Sequence, residues 1–349
     1  MTQDRPLISI GLITYNQKGY IREALEGCFA QTYSPLEIIV SDDCSTDGTD
    51  KIAESIIDEY RRTDGKHTVI FNRNGKNLGI IGNFLKTFDL MHGELLVHAG
   101  GDDISYPDRV EKIVTQWMAN DKKPVVVYHG ADRIDEKGRM LTPHPAPWGY
   151  NPDYPPLNYP EIKQVYFFGA LMAYSPEVVR KFNRPNIRMG EDFLLGWRAL
   201  MLGKPLLMKD RLVKYRVGSG LSTGMFGFRK ARMGTIKRAR EAAGQALDDL
   251  EIARQWMAEA DYNMVKELIN ARLKYYDAWD TCLNGKTIAE RLNGYKNGGS
   301  SLLPFCAPIF IRKLLILPKW ISQPIFICFI ALVQLRRVVL GKIRFSKSA

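Results

Sequence analysis

Cysteine is scarce in this chain of 349 residues and badly placed for cross-linking: Cys28, Cys44, Cys282, Cys306 and Cys328 are odd in number and form no CxxC pair. That excludes a disulfide framework or a structural zinc site as the basis of the fold. Unbroken apolar runs are also short. A bilayer-spanning helix takes about 20 apolar residues. Residues 302–317 are interrupted by Pro304, Pro308 and the Arg312–Lys313 pair, and residues 321–335 by Pro324, with Pro318 between the two runs. Acidic residues are absent from 302 to 349, where eight Lys and Arg stand, so this tail carries +8 of the formal net charge of +11. The rest is close to neutral, which counts against a nucleic-acid-binding protein and gathers the basic surface at one end. The opening MTQDRPLISI lacks the basic-then-apolar pattern of a secretion signal, and the expected location is the cytosol. No internal repeat or low-complexity tract occurs.

What is present is a 45% apolar chain, long enough for a large domain and an appendage. Short β-rich runs alternate with stretches of helical spacing. LISIGLIT (7–14) precedes a helix over 19–31, residues 36–41 precede a helix over 47–62, and HTVIF (67–71) precedes a helix over 80–91. ELLVHA (94–99) then leads to a helix opening at Pro107, and PVVVYH (124–129) follows. This alternation predicts an α/β fold with a mainly parallel sheet covered by helices on both faces. Proline and aromatic residues crowd 142–160, predicting a long loop over the sheet edge, either helping to shape an acceptor site or inert. A strand over 165–174, a helix over 191–202 and a wholly helical region from 228 to about 292 complete the pattern.

Parallel sheets bind ligands beyond the C-terminal ends of their strands. Those positions are polar here. Thr14, Tyr15 and Asn16 follow the first strand, Asp42 and Asp43 the second, and Gly100, Gly101, Asp102 and Asp103 the fourth. A hydroxyl, an amide, an aromatic face and carboxylates can hold a base and ribose by stacking and hydrogen bonding. For 42–49 the competing explanation is helix capping. Neighbouring Asp102 and Asp103 repel unless a cation or hydrogen bonds hold them, and Mg²⁺ takes one or two carboxylates plus substrate phosphates. Capping of the next helix by Asp103 or Ser105 is the alternative. Glu191 and Asp192 open another helix, where the dipole favours acidic residues, yet a carboxylate there can also act as a general base.

The order of these motifs resembles the family 2 inverting glycosyltransferases of the GT-A fold, over roughly residues 7–222. ITYN and SDDCSTDGT resemble the nucleotide-binding half, which implies that Thr14, Tyr15, Asn16, Asp42 and Asp43 line base and ribose. NGKNLGIIGNF supplies Asn77, Gly79 and Asn83 near ribose and diphosphate. HAGGDDISYPDRVEK resembles the DxD region, implying nucleotide-sugar contact by Asp102 and metal binding by Asp103 with Asp102. MGEDFLLGWRAL resembles the acceptor-side motif, implying Asp192 as the base with Glu191 in support. KYRVGSGLST carries Gly218 where relatives commonly have a histidine, Gly100 stands where many have a further acid, and no QxxRW signature follows.

The resemblance implies a metal-dependent transferase, using Mg²⁺ or Mn²⁺, that moves sugar from a nucleoside-diphosphate sugar, such as a UDP-sugar, to a lipid-linked glycan in lipopolysaccharide or other surface-polysaccharide synthesis. The expected organisation is a GT-A domain over 1–222, a helical hairpin or bundle over 223–296 and a basic apolar tail over 297–349. Residues 302–345 are expected to attach peripherally or monotopically to the cytoplasmic face of the inner membrane. Buried tail helices or a dimer interface is the alternative. Two other functional readings stay open: a catalytically silent scaffold or binding protein, and a nucleotidyltransferase, against which ITYNQKGY offers little phosphate cradle.

Overall fold

The computed structural model describes residues 5–63, 65–141, 169–187, 190–203, 205–218 and 230–284. Alternating elements appear where the apolar pattern places them: β1 (Ile8–Thr14), α1 (Ile21–Phe29), β2 (Leu36–Asp42), α2 (Thr49–Arg62), β3 (Thr68–Arg73), α3 (Gly79–Leu90) and β4 (Leu95–Gly100). A two-residue strand β5 (Ile104–Ser105), α4 (Arg109–Ala119) and β6 (Val126–Ile134) follow. After a 3-10 turn at Gly169–Leu171 come β7 (Met172–Tyr174), α5 (Glu177–Arg180), α6 (Glu191–Leu202), β8 (Leu206–Arg216), α7 (Lys230–Ala253) and α8 (Glu259–Asn284). The expected loop at 142–160, the boundary near 222 and the whole tail lie outside the described residues, as do residues 165–168 of the strand expected over 165–174, of which 169–171 form the 3-10 turn and only Met172–Tyr174 is a strand.

The eight strands run β3-β2-β1-β4-β7-β6-β8-β5 across one sheet. β1 pairs in parallel with β2 and β4, β2 with β3, and β6 with β8, while β7 and β5 are antiparallel to their neighbours. The sheet is therefore mixed. Its first half steps outward from β1 to β3 and returns through α3 to β4 on the other side of β1. That reversal leaves a crevice at the C-terminal ends of β1 and β4, where open α/β sheets bind ligands.

Both faces are covered, as the near-continuous apolar strands require. Ile38 and Val40 of β2 join Leu25, Val110 and Trp117 in one core layer, while Ile39 faces Phe84, Phe88 and Leu96 in the other. Adjacent residues of one strand thus feed opposite layers, the two-residue period of a pleated strand. A third core joins α6, α7 and α8, and α7 buries mainly alanines, Ala239, Ala242, Ala243 and Ala246. Those small side chains bring α7 close to α6. No helix among the described residues is long and apolar enough to cross a membrane. The chain divides into two compact units, Met1–Tyr276 and Asp277–Ala349. Of the second, only residues 277–284 at the end of α8 are described.

Two buried charges fix these layers. At the N-terminal edge of the sheet, Glu37 accepts from Ser9 Oγ (2.5 Å), His92 N–H (2.6 Å) and Gly93 N–H (3.2 Å), tying β1 and β2 to the start of β4. Burial pushes its carboxyl up, but the bonds from Ser9, His92 and Gly93 outweigh that and leave it below its usual value of 4.5. In the helical layer, Arg198 on α6 meets Asp249 on α7 at 2.7 Å, both side chains fully buried. Arg198 also donates to the Val178 and Asn183 carbonyls.

Glu37→Gln is expected to cost about 1–3 kcal/mol at neutral pH in urea unfolding. A depressed carboxylate stabilises the fold above its ordinary pKa and stops doing so as pH falls through the depressed value, so the gap to wild type narrows in acid. Asp249→Ala is expected to cost about 3–5 kcal/mol, because it strands a buried guanidinium. Arg198→Met with Asp249→Leu is expected to recover part of that loss.

Candidate functional site

Register brings the polar strand ends into line. Thr14 is opposite Asp42, Ile13 is opposite Gly100, and Asp42 is opposite Arg73, so the loops after β1, β2 and β4 share one edge. Asp42 is fully buried and accepts from Ser45 N–H (2.9 Å) and Ser45 Oγ (2.5 Å). Ser45 Oγ in turn accepts from Asn16 N–H (2.9 Å), and Asn16 Oδ1 accepts from Thr46 N–H (2.8 Å). The loops after β1 and β2 are thereby locked together, with Asn16 in the left-handed region at φ 52°. Tyr15 is half-buried between them. Thr14 Oγ1 bonds Gln17 Oε1 at 2.9 Å.

Capping does operate in this loop, both locally and across the fold. Asp43 accepts from Leu78 N–H (2.7 Å) and Gly79 N–H (2.9 Å), satisfying the free amides at the start of α3, and from Asn74 Nδ2 (3.0 Å). Asp47 takes Thr49 N–H (3.0 Å) at the start of α2. Asn83 is buried and donates to the Ser41 carbonyl (2.9 Å) while accepting from Ser41 Oγ (2.6 Å) and Asn74 Nδ2 (2.9 Å). Asp43, Asn83 and Gly79 thus come together, with Asp43 and Asn83 engaged in holding α3 against β2.

The acidic turn after β4 sits beside Thr14. A methyl added at Gly101 would lie 2.6 Å from Thr14 Oγ1, so only glycine allows this approach. A methyl at Gly100 would lie 3.0 Å from Asp103 Oδ2 and 3.2 Å from Asp102 Oδ1, which shows the two carboxylates converging over Gly100. Neither Asp103 nor Ser105 caps α4. Asp103 Oδ1 accepts the Arg216 N–H (2.8 Å), and Ser105 Oγ accepts from Arg109 Nη1 (3.0 Å).

Two buried arginines support this turn. Arg216 donates Nε to the Asp102 carbonyl (2.9 Å) and Nη1 to the Asp135 and Glu136 carbonyls (3.2 and 3.1 Å), pairs through Nη2 with Glu23, and lies over the Tyr20 ring. Arg109 donates to the His98 and Ala170 carbonyls (2.8 and 2.9 Å) and to His129 Nε2 (3.1 Å). Burial pushes the Asp103 carboxyl well above its usual value, and Asp102's charge adds to that, while Arg216 and Arg109 oppose it. Burial also pushes Arg109 down to about 10. Among the described residues no group of three or more His, Cys, Asp or Glu is arranged to hold a metal ion.

Glu191 and Asp192 open α6 after Gly190, whose φ of +91° suits glycine. Asp192 Oδ1 accepts the Phe193 N–H (2.9 Å). Burial raises the Asp192 carboxyl well above its usual value, Glu191's charge adds to it, and the Phe193 N–H and Arg238 of α7 oppose it. A methyl at Gly169 would lie 2.8 Å from His98 Nδ1 and 3.4 Å from Glu191 Oε1, so Glu191 stands beside β4 two residues before Gly100. Burial, then the charge of Arg109, pushes His98 down to about 3, keeping it neutral.

Sequence reasoning missed Arg109, Arg216, Asn74 and Arg238. Arg109 and Arg216 stand inside the quoted segments DRVEK and KYRV, but nothing in a sequence marks an arginine as buried.

Residues 9–182 match the family model described as Glycosyl transferase family 2. Curated relatives include an uncharacterized glycosyltransferase of Rickettsia typhi, 35% identical over 136 residues, which covers 39% of this chain and 40% of the relative. The putative glycosyltransferase EpsH of Bacillus subtilis is 30% identical over 138 residues, covering 40% of this chain and 38% of EpsH. The chain thus spans about two fifths of these relatives' length. Among solved structures, S. aureus TarS 1–349 superposes with TM-score 0.55 at 17% identity, over 84% of this chain and 78% of that one. The mannosyltransferase PcManGT of Pyrobaculum calidifontis, solved with GDP-Man and Mn²⁺, gives 0.55 at 16% identity, over 92% and 83%. At these identities the likeness shows the fold, GT-A.

Asp103→Asn keeps an acceptor for the Arg216 N–H but removes the repelled charge. A carboxyl raised in the folded state costs stability once pH exceeds its ordinary value of about 4. The variant is therefore expected to melt a few degrees above wild type at pH 8, with the gain vanishing as pH falls toward 4 in a calorimetric pH series.

Proposed function

Because residues 9–182 belong to glycosyl transferase family 2, we propose that the protein is an inverting glycosyltransferase that moves a sugar from a nucleoside-diphosphate sugar to a hydroxyl of a lipid-linked glycan, in cell-surface polysaccharide synthesis. The observation that carries this reading is the convergence of Asp102 and Asp103 over Gly100, at the crevice edge shared with Thr14 and Asp42.

In this mechanism Tyr15 stacks on the base, while Asn16 and Asp42 hold base and ribose in the locked pair of loops. Asp43, Gly79 and Asn83 set the start of α3 beside ribose and diphosphate. The donor set fits a hard divalent cation, Mg²⁺ or Mn²⁺: two converging carboxylate oxygens, one on a group whose ionised form is otherwise disfavoured, with diphosphate oxygens to complete the shell. Asp102 and Asp103 would hold it, and its chemistry there is neutralisation of charge on the leaving diphosphate. Arg216 and Arg109 keep those carboxylates in place.

Asp192 takes the proton from the acceptor hydroxyl while that oxygen attacks the anomeric carbon. The bond from that carbon to the diphosphate oxygen breaks, and its electron pair leaves with the nucleoside diphosphate. One displacement needs one base and inverts the anomeric configuration, so no carboxylate nucleophile is required. The raised pKa of Asp192 brings a weak carboxylate base closer to the working pH. Glu191 supports it. Attachment of residues 302–345 to the cytoplasmic face of the inner membrane would present the crevice to a lipid-borne acceptor. TarS has been solved with UDP-GlcNAc and PcManGT with GDP-Man, which supports a nucleotide-sugar donor and leaves the nucleotide to experiment, a UDP-sugar being the first choice.

The test is product release across a panel of UDP-, GDP- and dTDP-sugars, with membrane lipid extract and with or without Mg²⁺ or Mn²⁺. One donor is expected to yield its nucleoside diphosphate only with metal, and Asp103→Ala and Asp192→Asn are each expected to lower that rate by 100-fold or more (about 3 kcal/mol of barrier). Failure of every donor to bind or turn over, with both variants indistinguishable from wild type, would replace the transferase with a silent scaffold.

A further inference from the structure

The family match ends at residue 182, before the carboxylate pair at 191–192 and before the helix that packs against it. α7 comes close to the start of α6: a methyl on Gly190 would lie 3.2 Å from the Arg238 carbonyl oxygen and 3.5 Å from Arg238 Cβ. The Arg238 side chain therefore leaves α7 beside Gly190, the residue before Glu191. This approach depends on small residues from both sides, Gly190 on one and the alanine face Ala239, Ala242, Ala243 and Ala246 on the other.

Among the described residues, the groups around the pair come from four further elements. Tyr128 of β6 and Tyr174 of β7 face Asp192, His98 of β4 stands near Glu191, and Arg238 of α7 acts on both carboxylates. The tyrosines and His98 are neutral at physiological pH, since burial raises the tyrosines further and pushes His98 down to about 3. Two adjacent carboxylates in such surroundings repel each other and favour uptake of a proton, which would disable a base. A cation brought in on α7 offsets this.

We propose that Arg238 is a positioning residue for the general base, favouring the charged form of the Glu191–Asp192 pair from α7, so that the helical segment is a working part of the active site. This rests on Asp192 being the base. The carboxyl of Glu191 is raised by burial and drawn down by Arg238, and Asp192 responds in the same sense, so loss of the cation raises both.

The experiment is the pH dependence of kcat/KM for wild type, Arg238→Gln and Arg238→Lys on the donor that wild type uses, alongside ¹³C-carboxyl NMR titration of the same proteins, with the Asp192 signal identified by its loss in Asp192→Asn. Arg238→Gln is expected to move the acidic limb upward by about one pH unit, a tenfold loss on that limb that closes at high pH, and to move the Asp192 titration with it. Arg238→Lys is expected to restore both. A uniform loss at every pH, or an unmoved carboxyl titration, overturns the proposal and leaves Arg238 a packing residue. If wild type turns over no nucleotide-sugar, the transferase reading fails, while the NMR titration still decides the coupling of Arg238 to Asp192.

Discussion

Two carboxylates on consecutive residues, nearly out of reach of water at a strand end, repel each other at a cost the fold must offset. Asp102 and Asp103 are in that position, and much of the neighbouring structure is arranged around them. Arg216 donates its backbone N–H to Asp103 and its side chain to the Asp102 carbonyl, and it reaches this place because β8 ends there. Arg109 ties β4 to the 3-10 turn and lends its charge to the same turn.

The loops after β1 and β2 follow another rule, rigidity by cross-bonding. Ser45, Asn16 and Thr46 knit the loops after β1 and β2, and Asp43 caps α3 rather than its own helix. Loops held by each other's backbone amides keep their shape without ligand, so any surface they present is formed in advance. The cost is that several polar side chains serve the scaffold and only the loop surfaces remain for contact.

The helical layer ties α6 to α7 through a buried ion pair and an alanine face. α7 and the residues of α8 up to Tyr276 share a compact unit with the sheet, and the start of α6, with its acidic pair, is where α7 approaches it.

Strand and helix order was legible in the sequence because each strand is covered on both faces and reads as an apolar run, while each covering helix shows a 3.6-residue period. The polar residues after β1, β2 and β4 were legible as sharing an edge because parallel strands end on one side of the sheet. Strand order across the sheet, with β7 antiparallel between β4 and β6, was not, since pairing joins residues far apart in the chain and leaves no local trace. Nor could any pattern separate Asp42 in its turn from Asp43 as a cap for a distant helix, or mark Arg109 and Arg216 as buried and Arg238 as a neighbour of acids. Composition and periodicity therefore determined the layers and the edge at which chemistry would be found. Which charges face each other there was decided by tertiary structure alone, because a charge's environment is set by neighbours in space.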